Sequence, residues 1–396
     1  MLVVELLKEL MACPSITPDE AGSHGILVQR LERLGFIVED LPFEEVDNFW
    51  ARRGSQGPLI VFAGHSDVVP PGPDKSWTSG PFEPTERQGF LFGRGAVDMK
   101  GGLAASVIAV ERFLAAHPDH QGSLAFLVTS DEEGASINGT KRVIEVLEQR
   151  NEKIDYCIIG EPSSEQNLGD QIRVGRRGSL HGKLIIQGKQ GHIAYPVLGH
   201  NPIHNCLSAL QKLIVADWER LCHSHEGGNL PNESREILAQ ATERDFPPTT
   251  FQISNIHAGT GALNVTPAEV ELRFNFRFSN ALTAKQLQEK LENILNGHQL
   301  QYSLDWDLSG EPFLTSQGKL LEAVKQAVHQ ATGAYPKLST GGGTSDGRFI
   351  APTGAEVIEL GLIHTTAHQI DECVRLEDLH KLVEIYEKVL INLLTK

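Results

Sequence analysis

The sequence predicts an α/β chain with an α+β domain inserted into it. Two changes of texture and the length argue for this. Short apolar runs alternate with helical patterns through the first part of the chain, as in βαβ units around a largely parallel sheet. From about residue 174 the pattern becomes period-two alternation, which suits antiparallel strands with one buried face. The α/β texture then resumes, so the first domain reads as 1–178 plus 294–396 and the insertion as 179–293. At 396 residues the chain is too long for one ordinary core and comfortable for two.

The opening MLVVELLKELMACPS mixes apolar positions with Glu5, Lys8 and Glu9, which makes it an amphipathic first helix and neither a leader peptide nor a membrane span. PLIVFA at 58–63, SLAFLV at 123–128 and DYCII at 155–159 read as buried strands. Between them, residues 100–116 are rich in small side chains that let a helix sit close to a sheet, and 140–150 set Val143, Ile144 and Leu147 at helical spacing. In the insertion, GRRGSLHGKLIIQGK, TFQISNIHAG and AEVELRFNFRFS are strands, while 202–215 and 283–296 are helices. The tail holds a strand in QLQYSLDWDL, a helix at 318–332, the glycine-rich STGGGTSDGRF, the strand AEVIELGL and a last amphipathic helix from about 376 to 394. Residues 216–245 carry seven acidic side chains against three arginines, with Gly227-Gly228-Asn229 and Pro231-Asn232 as turn formers, and read as an exposed excursion.

The net charge of −16 is the opposite of what a duplex-binding protein needs, so nucleic acid is not expected as a partner. Cys13, Cys157, Cys206, Cys222 and Cys373 are odd in number, scattered and never spaced C-x-x-C. That fits a reducing, cytoplasmic setting better than a disulfide framework or a zinc knuckle.

Each of the three buried strands ends in candidate metal ligands. AGHSDVVP supplies His65 and Asp67, TSDEEG supplies Asp131, Glu132 and Glu133, and GEPSS supplies Glu161. A fourth segment, GRGAVDMKG, brings Asp98 just ahead of a helix. Singly, each is ordinary: a surface His-Asp pair, a solvated acidic turn, a helix cap. Together they fall where open α/β sheets bind ligands, at the carboxyl ends of strands, and such crowded like charges call for cations. In His364-Thr365-Thr366-Ala367-His368 the spacing leaves open whether both histidines are ligands.

These four acidic blocks resemble those of the M20 family of co-catalytic zinc amidohydrolases and peptidases. Within it, GRRGSL, GKQGHIAYP, GTGALNVTPAE, FNFRFS and TGGGTSDGRFIA resemble the desuccinylase branch, and the likeness runs in order from Cys13 to Cys373. The resemblance implies a zinc-peptidase-like catalytic domain of mixed sheet and flanking helices, with the inserted α+β domain serving as lid and dimerisation domain. It implies two Zn²⁺ per subunit, with Co²⁺ as a substitute. Asp98 would bridge the ions, His65 and Glu161 would complete one, and Glu133 and His368 the other, leaving room for a shared water. Asp67 would fix the His65 tautomer, and Glu132 would be the general base. The implied reaction is hydrolysis of N-succinyl-LL-2,6-diaminopimelate to succinate and LL-2,6-diaminopimelate.

Such a substrate presents several carboxylates, which suits arginine forks and backbone donors. The same resemblance places Arg176, Ser179, Arg277 and Arg348 among the substrate contacts, with Asn264, Tyr195 and the Gly343-Thr344 amides of a glycine loop able to nest an anion. His192 would reach the active site of the other subunit of a homodimer and stabilise the oxyanion there. The chain departs from the pattern at Ser66, at Leu263, where a second Asn is usual, and at His364, where Asn is usual. Another M20 hydrolase, acting on N-acetylornithine or a dipeptide, is the alternative. A non-catalytic metal-binding protein is the remote one, disfavoured because Glu132 survives beside every ligand.

Overall fold

In the computed structural model residues 2–219 and 246–395 are described, and they divide into two compact units. The first comprises Met1–Gly175, Leu314–Ser339 and Ser345–Lys396, and the second Arg176–Phe313 with Thr340–Thr344. Most of the acidic excursion lies outside the described residues.

The first unit is built on an eight-stranded sheet. In spatial order its strands are Ile37–Asp40, Asn48–Arg53, Ser123–Thr129, Leu59–His65, Tyr156–Ile159, Glu356–Glu359, Gln171–Arg173 and Lys337–Ser339. The middle four run parallel. Leu59–His65 and Ser123–Thr129 are buried along their whole length, as expected of central strands covered on both faces. The expectation of a largely parallel sheet holds for this centre and for the far edge pair Gln171–Arg173 and Lys337–Ser339, which run parallel to each other, while Gln171–Arg173 meets Glu356–Glu359 antiparallel. Asn48–Arg53 joins Ser123–Thr129 antiparallel, Ile37–Asp40 extends that edge antiparallel, and the sheet is therefore mixed.

Helices Lys100–Ala116, Leu376–Leu394, Lys319–Thr332 and Leu2–Met11 pack with the sheet and one another. Phe62 and Phe126 stack at 5.6 Å between ring centres, and the buried Tyr386 of the last helix closes on Phe62 while its hydroxyl donates to the Leu360 carbonyl. Lys100–Ala116 owes its depth to small residues. A Cβ on Gly102 would stand 2.3 Å from the Gly160 carbonyl oxygen, so the helix lies almost against the backbone that leads into Glu161.

The second unit is a four-stranded antiparallel sheet in the order Thr250–Ala258, Glu269–Phe278, Gly178–Gln187 and Tyr302–Gly310. In Glu269–Phe278, Val270, Leu272, Phe274, Phe276 and Phe278 are buried and their neighbours are not, the period-two pattern read in the sequence. They share a core with Leu287, Leu291 and Leu295 of the helix Ala284–Gly297, which opens with a capping box between Thr283 and Gln286. The strand Tyr302–Gly310 does not rejoin the first unit, as its place in the tail suggested. It pairs with Gly178–Gln187, because Tyr302, Leu304 and Trp306 pack on this second core. Among the described residues no helix is long and apolar enough to cross a membrane.

Candidate metal centre

Three adjacent parallel strands deliver candidate ligands to one edge of the sheet. His65 ends the strand Leu59–His65, Glu132 and Glu133 follow Ser123–Thr129, and Glu161 follows Tyr156–Ile159. Side chains at the carboxyl ends of parallel strands converge, and here they meet Asp98 from the turn before the helix Lys100–Ala116.

His65 sets the geometry. Its ring is buried, and Nδ1 lies 2.9 Å from the Asp67 carbonyl oxygen, an atom that only accepts, so Nδ1 is the donor. Nε2 is left buried without a hydrogen-bond partner, 3.4 Å from Asp98 Oδ1 and 3.4 Å from Glu161 Oε1. In a neutral ring this nitrogen would turn a lone pair toward two carboxylates, so the position calls for positive charge, supplied by a proton on Nε2 or by a cation among the three atoms. Asp98 turns its other oxygen elsewhere: Oδ2 is 3.2 Å from His368 Nε2, which stands 2.8 Å from Glu133 Oε1. One carboxylate thus faces two histidines with two different oxygens, the arrangement a bridging ligand needs. His65, Asp98 and Glu133 form one group of close ligand atoms, and His65, Glu132 and Glu161 another. The donor set, imidazole and carboxylate, suits zinc or a similar divalent ion.

Electrostatics follow the crowding. Burial pushes Glu161 up to about 7, with Asp98 adding to it. Glu132 is raised well above the usual carboxylate range by burial and then by the charge of Glu161. Burial works to raise Asp98 too, but the nearby His368 and His65 rings outweigh it and hold that carboxyl well below the ordinary value. His368 is raised to about 10 by its bonds to Asp98 and Glu133. Burial opposes the charged form of His65, yet Asp67, Asp98 and Glu161 lift it well above the imidazole range.

Asp67 touches more than its histidine. It accepts from Thr17 Oγ1 and from the backbone N–H groups of Glu132, at 3.3 Å, and Glu133, at 3.1 Å, so it anchors the acidic turn as well. Thr17 was not singled out in the sequence, where it is one hydroxyl in CPSITP. Of the two candidate histidines, His368 reaches the cluster, while His364 is exposed in the short 3₁₀ turn His364–Thr366.

Arg348 is buried in the first unit, its guanidinium 4.6 Å from the Phe349 ring centre. The remaining expected contact residues lie in the second unit. Ser179 and Arg277 are directly opposite each other across two antiparallel strands. Arg176 Nη1 donates to the carbonyls of Gly341 and Gly343, at 3.2 and 3.1 Å, so this buried arginine holds the glycine loop that continues into Thr344. His192 pairs with Val265 in a short ladder, Ile193 N–H donates to the Asn264 carbonyl at 3.0 Å, and the His192 and Tyr195 rings are 5.5 Å apart. His192, Tyr195 and Asn264 are exposed.

The family model for peptidase family M20/M25/M40 matches residues 61–392. The chain is 55% identical over 393 residues to the succinyl-diaminopimelate desuccinylase of Nitrosococcus oceani, covering 99% of each chain. It is 52% identical over 391 residues to the enzyme of that name from Alkalilimnicola ehrlichii, again covering 99% of each. Among solved structures, an M20 family metallo-carboxypeptidase from Sulfolobus solfataricus superposes with a TM-score of 0.76 over 99% of this chain and 98% of its own, at 19% identity, a likeness of fold.

Proposed function

We propose that this chain, which belongs to peptidase family M20/M25/M40, hydrolyses N-succinyl-LL-2,6-diaminopimelate to succinate and LL-2,6-diaminopimelate at a two-zinc centre. The observation that carries the metal reading is the pair of oxygens of Asp98, one toward the orphaned Nε2 of His65 and one toward His368. The substrate is that of relatives more than half identical along nearly the whole chain, such as the Nitrosococcus enzyme.

Asp98 would be shared, with His65 and Glu161 holding one ion and Glu133 and His368 the other; Co²⁺ would serve as a substitute. When bound, the pair supplies Lewis acidity to the scissile amide and a water acidic enough to react at neutral pH. Glu132, beside the ligands, takes the proton of the attacking water and returns it to the leaving amine. Beside bound cations this otherwise raised carboxyl is available as a base. Asp67 keeps His65 and the Glu132-Glu133 turn in place.

The second unit would act as lid and dimerisation domain. Arg176, Ser179, Arg277, Asn264, Tyr195, Gly343 and Thr344, with Arg348 of the first unit, would hold the substrate carboxylates, and His192 would steady the oxyanion. Exposed apolar side chains at Tyr195, Val197, Leu198, Leu207, Ile214 and Val215 support a subunit contact there. The unpaired thiols of Cys13, Cys157, Cys206 and Cys373 support a reducing, cytoplasmic setting.

The test is a comparison of kcat/KM for the zinc-loaded protein on N-succinyl-LL-2,6-diaminopimelate, N-acetylornithine and a dipeptide. The succinyl substrate is expected to lead by about 100-fold or more, since a pocket built for a second carboxylate leaves its arginines unpaired with the others. Equal or faster turnover of either other substrate overturns the reading.

A further inference from the structure

We propose that Arg94 and Glu372 are positioning residues for the metal centre: one buried ion pair that sets Asp98 against His368. The inference rests on the reading of those two as metal ligands.

Glu372 is fully buried and Arg94 nearly so. Glu372 Oε1 accepts from the backbone N–H of Val97 at 2.8 Å and of Asp98 at 3.2 Å. Its Oε2 accepts from Gly95 N–H at 2.9 Å and from Arg94 Nη1 at 2.8 Å. A single carboxylate therefore grips the turn that ends in Asp98, and the Glu372 carbonyl extends the grip by accepting from Gly93 N–H at 2.9 Å.

The guanidinium faces the other way. Arg94 Nη1 also donates to the Gln369 carbonyl at 3.2 Å and Nη2 to that of His368 at 3.4 Å, while its Cζ lies 5.3 Å from the centre of the Trp77 ring. His368 sits at φ 61, a left-handed conformation that a non-glycine residue keeps only where its surroundings impose it. The turn is pinned at its far end as well, where Asp371 accepts from Thr78 N–H and Oγ1 at 2.9 and 2.6 Å.

Both sides of the 3.2 Å approach between Asp98 and His368 are thus tied to the same pair. A buried ion pair is weak evidence of added stability, because apolar residues of equal volume often do as well. What apolar residues could not do is hold three N–H groups and two carbonyls of the ligand-bearing turns. That is the role of groups outside a metal's own ligands: they orient the ligands, and losing them weakens the site.

The test uses Glu372→Gln, which keeps the size but sets an amide N–H against backbone donors, and Arg94→Lys, which keeps the charge but cannot span Glu372 and both carbonyls. Zn²⁺ affinity is measured by competition with a chromophoric chelator, at a temperature where circular dichroism shows the fold intact, and the Co²⁺-loaded proteins are compared by visible absorption. His368→Ala is the reference. We expect both variants to bind one ion about 10–100-fold more weakly, the same ion that His368→Ala affects, and to alter the Co²⁺ bands. Wild-type affinities and spectra in a folded Glu372→Gln or Arg94→Lys, with binding weakened in His368→Ala, overturn the positioning role and leave the ligands standing. Unchanged binding in His368→Ala overturns the ligand reading itself and the positioning role with it. If Glu372→Gln does not fold, Arg94→Lys decides. If neither folds, the pair is a folding requirement and the positioning role is rejected.

Discussion

Glu133 and His368 are 235 positions apart in the chain, and their Oε1 and Nε2 atoms stand 2.8 Å apart. The contact closes a ring of acidic and imidazole side chains in which Asp98 is the common member. Without cations the ring holds several carboxylates in a small, largely buried volume, which works against folding. Metal removal should therefore destabilise the first unit. A ligand at ~1,000 times its Kd adds about 4 kcal/mol, so returning Zn²⁺ to chelator-treated protein should raise the midpoint of thermal unfolding by about 5 °C or more. A midpoint indifferent to Zn²⁺ would mean that the cluster does not hold metal.

The same ring fixes how binding depends on pH. In the metal-free protein His368 is raised to about 10 and His65 well above its ordinary value, so both rings are protonated at neutral pH. A cation needs the neutral ring. Each Nε2 proton must then leave on binding, and the apparent affinity should strengthen as pH climbs toward 10. Glu161, pushed up to about 7, adds a fraction of a proton near neutrality. Calorimetry in two buffers of different ionisation heat should show about one or more protons released for each ion at pH ~7.5. Heats independent of the buffer would contradict this account.

Glu132 and its neighbour Glu133 keep different company. Glu133 faces His368, while Glu132 belongs with His65 and Glu161. With Glu132 as the proposed base and not a ligand, Glu132→Gln should cut turnover by ~10²–10⁴ with both ions still bound. Metal content by emission spectroscopy alongside steady-state rates checks both halves. Near-wild-type turnover would remove Glu132 from the role of base.

Much of this centre was legible because burial leaves a strong trace. PLIVFA, SLAFLV and DYCII are apolar on both faces, so the acids and histidine that follow them stand at one edge of one sheet. The antiparallel edge Ile37–Asp40 and Asn48–Arg53 left no such trace, being short and mixed in charge. Tyr302–Gly310 was legible as a strand, but nothing local says which sheet takes it, since that depends on Gly178–Gln187 far upstream. Arg94 and Glu372 were illegible for a different reason. Charged residues are mostly on surfaces, and only three-dimensional packing shows that these two are not.

The close packing behind the site leads to a last prediction. Helix Lys100–Ala116 starts two residues after Asp98, and its Gly102 faces Gly160, the residue before Glu161. A methyl group on Gly102 would meet the Gly160 carbonyl oxygen at 2.3 Å and the Gly160 Cα at 3.0 Å, distances that require backbone to move. Neither partner is a flexible side chain, so the strain must separate helix from strand end, and with them Asp98 from Glu161. Gly102→Ala should lower stability by about 1–3 kcal/mol as an overpacking change, despite the better helix propensity of alanine, and should weaken Zn²⁺ binding in the protein that remains folded. Gly25→Ala, in the helix Ser23–Arg33, is the control: an added Cβ there meets nothing within 4 Å, so it should stabilise by ~0.4–1 kcal/mol and leave metal affinity alone. Denaturant midpoints and chelator competition on the two variants separate the outcomes. If Gly102→Ala is as stable as Gly25→Ala and binds Zn²⁺ as the unmodified chain does, the approach of helix to strand is not what sets Asp98 beside Glu161.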